Sequence, residues 1–183
     1  MPILALADCP PRPWKNGLGR TRELAIHPPG ASMDDFLWRV SIAEVDKAAP
    51  FSAFPGIDRV IALLDGDGFT MQLADGRTHA LTTPCAPFAF AGELDVTATL
   101  AGRPGRDFNL MCRRAHVRGA LTTVHGPARH TLAPYTVLVF CARGHIDTSE
   151  GPLAAEQAWL PNGAGHYALA ADAMALVALV APR

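Results

Sequence analysis

The sequence predicts an all-β chain organised as two fused barrels, on three observations. Sixteen glycines and sixteen prolines punctuate its 183 residues so often that few stretches have room for three helical turns. Between these breakers recur short apolar segments with β-branched and aromatic residues, which is how half-buried strands read. The third observation is a weak internal repeat. DRVIALLDGDGFTMQL, a Pro/Phe loop, then DVTATLAG and DFNLM are echoed by YTVLVFCARGHIDTS, WLPNG and AMALVALV. Both halves read strand, glycine turn, strand, proline-bearing loop, strand. The boundary is expected in the basic, turn-prone stretch Arg113 to Pro127. That gives a first barrel over 1–115, with the N-terminal loop and the functional residues, and a second, shorter and degenerate barrel over 116–183.

In chain order, strands are expected at Arg22–Ile26, Phe36–Ala43, Arg59–Leu64, Phe69–Leu73, His79–Leu81, Leu94–Leu100, Phe108–Arg113, Thr136–Cys141 and Met174–Val180. Asp65-Gly66-Asp67-Gly68, Asp75-Gly76 and Asn162-Gly163 supply the positive φ that tight turns require. The Ala-rich end from Met174 fits a strand or a helix equally well by period.

At 49% apolar and 18% charged, the chain has the material for a sizeable core. A net charge of −1 gives no electrostatic reason to expect nucleic acid or an anionic membrane as partner. No segment reads as a membrane span: MPILALADCP meets Pro10 and Pro11, and the apolar end is interrupted by Asp172. A soluble, cytoplasmic protein is expected. Cys9, Cys85, Cys112 and Cys141 are widely spaced with no CxxC pair, and read as buried reduced thiols.

Metal-binding barrels of the cupin class carry two histidines one residue apart, an acidic ligand four or five positions later, and a glycine turn seven positions further on. Strand alternation brings those side chains into one barrel mouth. Here the same frame reads Ser52-x-Phe54-x4-Arg59-x6-Gly66. An arginine that cannot shed its proton repels a divalent ion, and the seven histidines are dispersed, so neither a metal nor another cofactor is expected. A planar guanidinium beside a hydroxyl and an aromatic wall instead suits a small organic anion.

Three further clusters add candidates. In Phe36-Leu37-Trp38-Arg39-Val40-Ser41-Ile42 the apolar residues share one face, leaving Arg39 and Ser41 on the other, directed either into the barrel or to solvent. In Asp107-Phe108-Asn109-Leu110-Met111 the odd-numbered residues face together, and Asn109 serves either a ligand or the backbone. In Trp14-Lys15-Asn16-Gly17-Leu18-Gly19-Arg20-Thr21-Arg22-Glu23 a turn at Asn16-Gly17 is expected to fold over the mouth, presenting Asn16 with Lys15 or Arg22. That segment is not a phosphate loop, since GxxxxGK[ST] is absent. Asp58 either pairs with Arg39 or Arg59 or caps the Pro55-Gly56-Ile57 turn, and Phe88 and Phe90 read first as core and second as pocket wall.

The motifs WKNGLGRTREL, FLWRVSIAEV, PFSAFPGIDRVIALLDGDG, PFAFAGE and DFNLM, in this order, resemble the HutD/Ves family of cupin-like proteins. The resemblance runs from about Trp14 to Arg113 and departs at Leu18, where family members usually have glycine. It implies a bicupin fold without an established metal or enzymatic activity. It also implies a role in moderating histidine utilisation through a carboxylate such as urocanate or formylglutamate, or a role in stress responses. Carried over motif by motif, it implies ligand contacts from Lys15, Asn16, Arg22, Arg39, Ser41, Ser52, Phe54, Arg59 and Asn109, with Trp14, Asp58 and Asp107 holding the loops.

The function expected is therefore metal-independent binding of a small anionic metabolite in a regulatory or buffering role. The competing expectation is a metal-free isomerase, epimerase or lyase acting on a small organic acid. That chemistry needs a base, for which Glu44 and Asp58 are the candidates. An interaction module that pairs as a homodimer is the third.

Overall fold

The computed structural model describes residues 3–14, 17–45, 47 and 49–183. The strands of the first half are β1 (Ile3–Ala5), β2 (Arg12–Pro13), β3 (Gly19–His27), β4 (Trp38–Val45), β5 (Ala49–Pro50), β6 (Ile57–Asp65), β7 (Phe69–Leu73), β8 (Thr78–Leu81), β9 (Phe88–Ala91), β10 (Val96–Leu100) and β11 (Gly105–Arg113). Those of the second half are β12 (Val117–His125), β13 (Ala128–Thr131), β14 (Thr136–Arg143), β15 (His145–Thr148), β16 (Gly151–Ala154), β17 (Gln157–Trp159), β18 (His166–Leu169) and β19 (Met174–Pro182). The Ala-rich end is thus a strand, and one 3-10 turn at Leu6–Asp8 is the helical element among the described residues.

Two compact units divide the chain. One holds Pro10–Arg118 with the last two residues, and the other holds Gly119–Ala181 with the described residues before Pro10. The N-terminal segment therefore does not belong to the first barrel as the 1–115 boundary placed it. Its β1 pairs antiparallel with β17, Ile3 opposite Trp159. The stretch Arg113 to Pro127, where the boundary is expected, is largely strand, and β12 crosses the division.

The first unit contains a six-stranded sheet, β2-β3-β4-β11-β6-β9, and a four-stranded sheet, β5-β10-β7-β8. The second contains β1-β17-β14-β19-β12 and β13-β18-β15-β16. Adding eight to each strand number turns β4-β11-β6-β9 into β12-β19-β14-β17, and β5-β10-β7-β8 into β13-β18-β15-β16. The weak sequence echo is a duplication of eight strands.

In the first barrel, Ala43, Val45, Ile61 and Leu63 of the larger sheet pack with Phe69, Met71, Leu73, Val96 and Ala98 of the smaller one. This cluster fills one end of the barrel. Phe36, Ile57 and Met111 form a separate cluster. In the second barrel, Val139, Cys141, Trp159, Ala175 and Val177 meet Ile146, Leu153, Tyr167 and Leu169. Arg39, Ser41, Arg59, Asp107 and Asn109, the buried polar side chains among the described residues, all belong to the first barrel.

The glycine of the cupin frame has a packing reason. Gly66 has φ +81°, and a Cβ there would sit 2.5 Å from both Gly105 Cα and Pro104 O, where β6 and β11 meet. Gly66→Ala combines left-handed strain with a backbone clash, and is expected to cost on the order of 2 to 4 kcal/mol by denaturant unfolding. An unchanged midpoint would show that this turn does not govern how the strands meet.

Candidate functional site

The central strands of the larger sheet carry the site. β11 pairs with β4 on one side and β6 on the other, setting Arg39, Met111 and Arg59 in one row. Ser41, Asn109 and Ile61 form the next row, and Ala43, Asp107 and Leu63 the third. Alternation turns these residues to one face and leaves Val40, Ile42, Phe108 and Leu110 on the other. The expected alternation on both motifs is met, and both clusters face inward.

These rows line a cavity of about 630 Å³, within the range of small-molecule pockets. Arg39, Ser41, Arg59, Asp107 and Asn109 form its polar wall, while Phe51, Phe54, Met33 and Trp14 make it largely apolar elsewhere. Ser52 also borders it, from the segment before β6.

Arg59 is 7% exposed, and its guanidinium carbon lies 5.2, 5.5 and 5.1 Å from the ring centroids of Phe51, Phe54 and Phe90. These cation–π contacts offset part of the cost of burying the charge. Nε of Arg59 is buried without a hydrogen-bond partner among the described residues. Burial pulls the guanidinium down to about 10, with the Asp107 charge opposing the shift and Arg39 adding to it. Arg59 therefore remains cationic at neutral pH. Arg39 is already engaged: its Nε donates to Glu23 Oε2 at 2.7 Å and its Nη1 to Ser41 Oγ at 3.3 Å.

On the third row Asp107 lies between Ala43 and Leu63, two residues of the apolar cluster, and is 2% exposed. Burial pushes its carboxyl up to about 7, against the pull of Arg59. The expectation that Asp107 holds a loop is not met, because it forms part of the cavity wall. Asn109 points its Oδ1 into a buried position with no donor among the described residues. Two residues of the cavity lining thus carry a buried donor and a buried acceptor without a partner among the described residues, each costly as it stands.

The N-terminal motif closes over this wall. Gly17 N donates to Trp14 O at 3.0 Å and Trp14 N to Gly19 O at 2.9 Å, and Gly17 has φ +68°, as a turn at Asn16-Gly17 requires. Leu18 lies outside the positive-φ region, so the backbone at this departure does not demand glycine. Trp14 Nε1 donates to Thr21 Oγ1 at 2.8 Å, which fixes the indole. A Cβ on Gly19 would stand 2.5 Å from Glu44 O and 3.0 Å from the Trp14 ring. Trp14 is therefore a positioned residue of the cavity wall. Lys15 and Asn16 lie outside the described residues.

Two expected site residues are placed elsewhere. Arg22 alternates with the cavity-lining Thr21, and its Nε donates to Glu44 Oε1 at 2.8 Å, next to a second Glu44 contact from Arg20. Burial works against the Glu44 charge, yet the hydrogen bonds from Arg22 and Arg20 outweigh it and hold that carboxyl below its ordinary value. Asp58 pairs with neither Arg39 nor Arg59. It accepts from Arg114 Nε at 2.7 Å, and Arg114 also holds Glu93. Site residues missed from sequence include Phe51, adjacent to Ser52 in its motif, Arg12, Thr21 and Met33 on the lining, and Glu23, which alternation turns inward opposite Ser41. Among the described residues no three His, Cys, Asp or Glu side chains assemble as a metal-ligand group.

The HutD family model matches residues 6–178. An uncharacterized 21.2 kDa protein in the hutC 3′ region of Pseudomonas putida is 39% identical over 147 residues, covering 80% of this chain and 76% of its own. Protein Ves of Citrobacter koseri is 38% identical over 134 residues, covering 73% and 64%. Among solved structures, HutD from Pseudomonas fluorescens SBW25 superposes with a TM-score of 0.86 at 28% identity, over 99% of this chain and 98% of that one. Oxalate decarboxylase from B. subtilis shares the fold alone, with a TM-score of 0.64 at 10% identity, over 98% and 77%. The duplicated eight-strand barrel, the ordered motifs of the first barrel and these matches together show that the chain belongs to the HutD/Ves family of bicupin proteins.

Proposed function

We propose that the first barrel binds a small organic carboxylate without a metal, in a regulatory or metabolite-buffering role. The observation that carries this reading is the convergence of all five buried polar side chains on one cavity, with the Arg59 Nε unpartnered among them. A guanidinium under aromatic rings is a fork of donors with restricted motion, so little order is lost when a carboxylate docks on it. Arg39, paired with Glu23 and Ser41, is a fixed and largely charge-compensated part of the wall, while Asn109 and Ser41 offer groups for a second polar function of the ligand. The family relation and the hutC-region relative support a histidine-degradation intermediate, urocanate or formylglutamate, as the ligand. A cytoplasmic setting belongs to the same reading, supported by four buried free cysteines. No helix among the described residues is long and apolar enough to cross a membrane.

The two bases the sequence offered for the competing enzyme reading lie outside the cavity, and the carboxyl that lines it is Asp107. Glu44 and Asp58 are each tied to arginines, and neither lines the cavity. NMR of urocanate and formylglutamate incubated with the protein separates the two readings, since a binding protein leaves both unchanged and a consumed acid would establish turnover.

Calorimetry with these two acids tests the site directly. Arg59→Ala is expected to lose about 2 to 4 kcal/mol of binding, roughly thirtyfold to a thousandfold in Kd. Arg59→Lys should recover only part of this, because an ammonium lacks the planar fork. Arg22→Ala, on the opposite face, is expected to leave affinity within a factor of about two. Unchanged affinity in Arg59→Ala, or a large loss in Arg22→Ala, would remove the proposed site. Ligand at a hundredfold excess over Kd should add about 2.7 kcal/mol of stability to wild type in a thermal melt.

A further inference from the structure

We propose that anion binding in this cavity is coupled to proton uptake by Asp107, so that the protein takes up its ligand and a proton together. The inference rests on the anion-site reading above and adds a regulation of that site. Its basis is the placement of a carboxyl where nothing stabilises its charge. Asp107 is 2% exposed, lies against Ala43 and Leu63, and has no hydrogen bond or ion pair among the described residues. Other carboxylates of the first barrel are held by arginines: Glu23 by Arg39, Glu44 by Arg20 and Arg22, Asp58 and Glu93 by Arg114, and Asp65 by Arg106.

The charged groups that face Asp107 come from the strands packed around it. Arg59 projects from β6, Arg39 from β4 with Glu23 of β3 already on it, and Arg12 of β2 lines the same cavity. The four-stranded sheet contributes no charged side chain to the lining among the described residues, and no histidine lines it. Arg59 is thus the one group that favours ionised Asp107 substantially, acting through space rather than by an ion pair. Burial outweighs that pull, and the carboxyl is raised to about 7.

An anion docked on Arg59 changes this balance in one direction. It neutralises the charge that favoured the carboxylate and places a second negative charge in the same low-dielectric cavity. The carboxyl then binds its proton more tightly, and by linkage the protonated protein binds the anion more tightly. Well below pH 7 Asp107 is already neutral and affinity is flat. Above it, each pH unit weakens binding about tenfold until the higher value of the complex is passed. A neutral carboxyl also becomes a donor, able to hydrogen-bond the bound oxyanion.

Calorimetric titration of the full chain with N-formylglutamate from about pH 5.5 to about 9 tests this, because the probe's own carboxylates stay ionised throughout. Running each pH in two buffers of different ionisation enthalpy counts protons directly. The expected result is flat affinity below about pH 6, a tenfold loss per unit above about 7, and uptake of close to one proton near pH 8. Asp107→Asn should bind with an affinity that no longer depends on pH. Flat affinity in wild type, proton release, or an unaltered slope in Asp107→Asn would overturn the coupling while leaving the anion site standing. Failure to bind at every pH would remove the site and the coupling together. If Asp107→Asn does not fold, the proton count on wild type decides alone.

Discussion

Burying a guanidinium under three phenylalanine rings is the costly act around which the first barrel is organised. A charge taken out of water must recover its hydration from fixed groups or from a ligand. Phe51, Phe54 and Phe90 return part of it through their ring faces, yet Nε of Arg59 is left without an acceptor among the described residues. The rest of the wall is arranged around that deficit. Arg39 is paired with Glu23, and Asp107, buried beside Leu63, forms no ion pair with Arg59.

The duplicated architecture explains why only one barrel carries this arrangement. Eight strands recur with the same order in both sheets, so the two copies offer equivalent mouths in outline. In the second copy the corresponding interior is filled by Val139, Trp159, Leu153, Tyr167 and their neighbours, and no charged residue is buried there among the described residues. One copy packs its interior for stability and the other retains polar positions that cost stability, which is the usual trade at a functional site.

Much of this was legible in the sequence because a strand has a strict period of two. Arg39 and Ser41, and likewise Asp107, Asn109 and Met111, had to share a face once Val40, Ile42, Phe108 and Leu110 were assigned to the other. The same period should have removed Arg22, since Thr21 faces the cavity and its neighbour must turn away. By that same period Glu23 turns inward beside Thr21, opposite Ser41, so its place on Arg39 was also legible once the facing of this strand was known. The sequence leaves Asp58 open to Arg39, Arg59 or the Pro55-Gly56-Ile57 turn, whereas its partner Arg114 is 56 positions away and reaches it through the pairing of β6 with β11. The placement of β1 on β17 was invisible for the same reason: a three-residue strand has too little pattern to declare its partner. The unpaired state of Asp107 depends on the residues of two neighbouring strands, which sequence alone does not bring together.

The central claim is that Arg59 is the anchor of an anion. The measurement that addresses it most directly is a crystal structure of the protein with formylglutamate, solved near pH 6 where Asp107 is neutral. The account predicts a carboxylate of the probe within hydrogen-bond distance of the Arg59 guanidinium, flanked by Phe51 and Phe54. A probe held elsewhere, with Arg59 still lacking an acceptor, would contradict it.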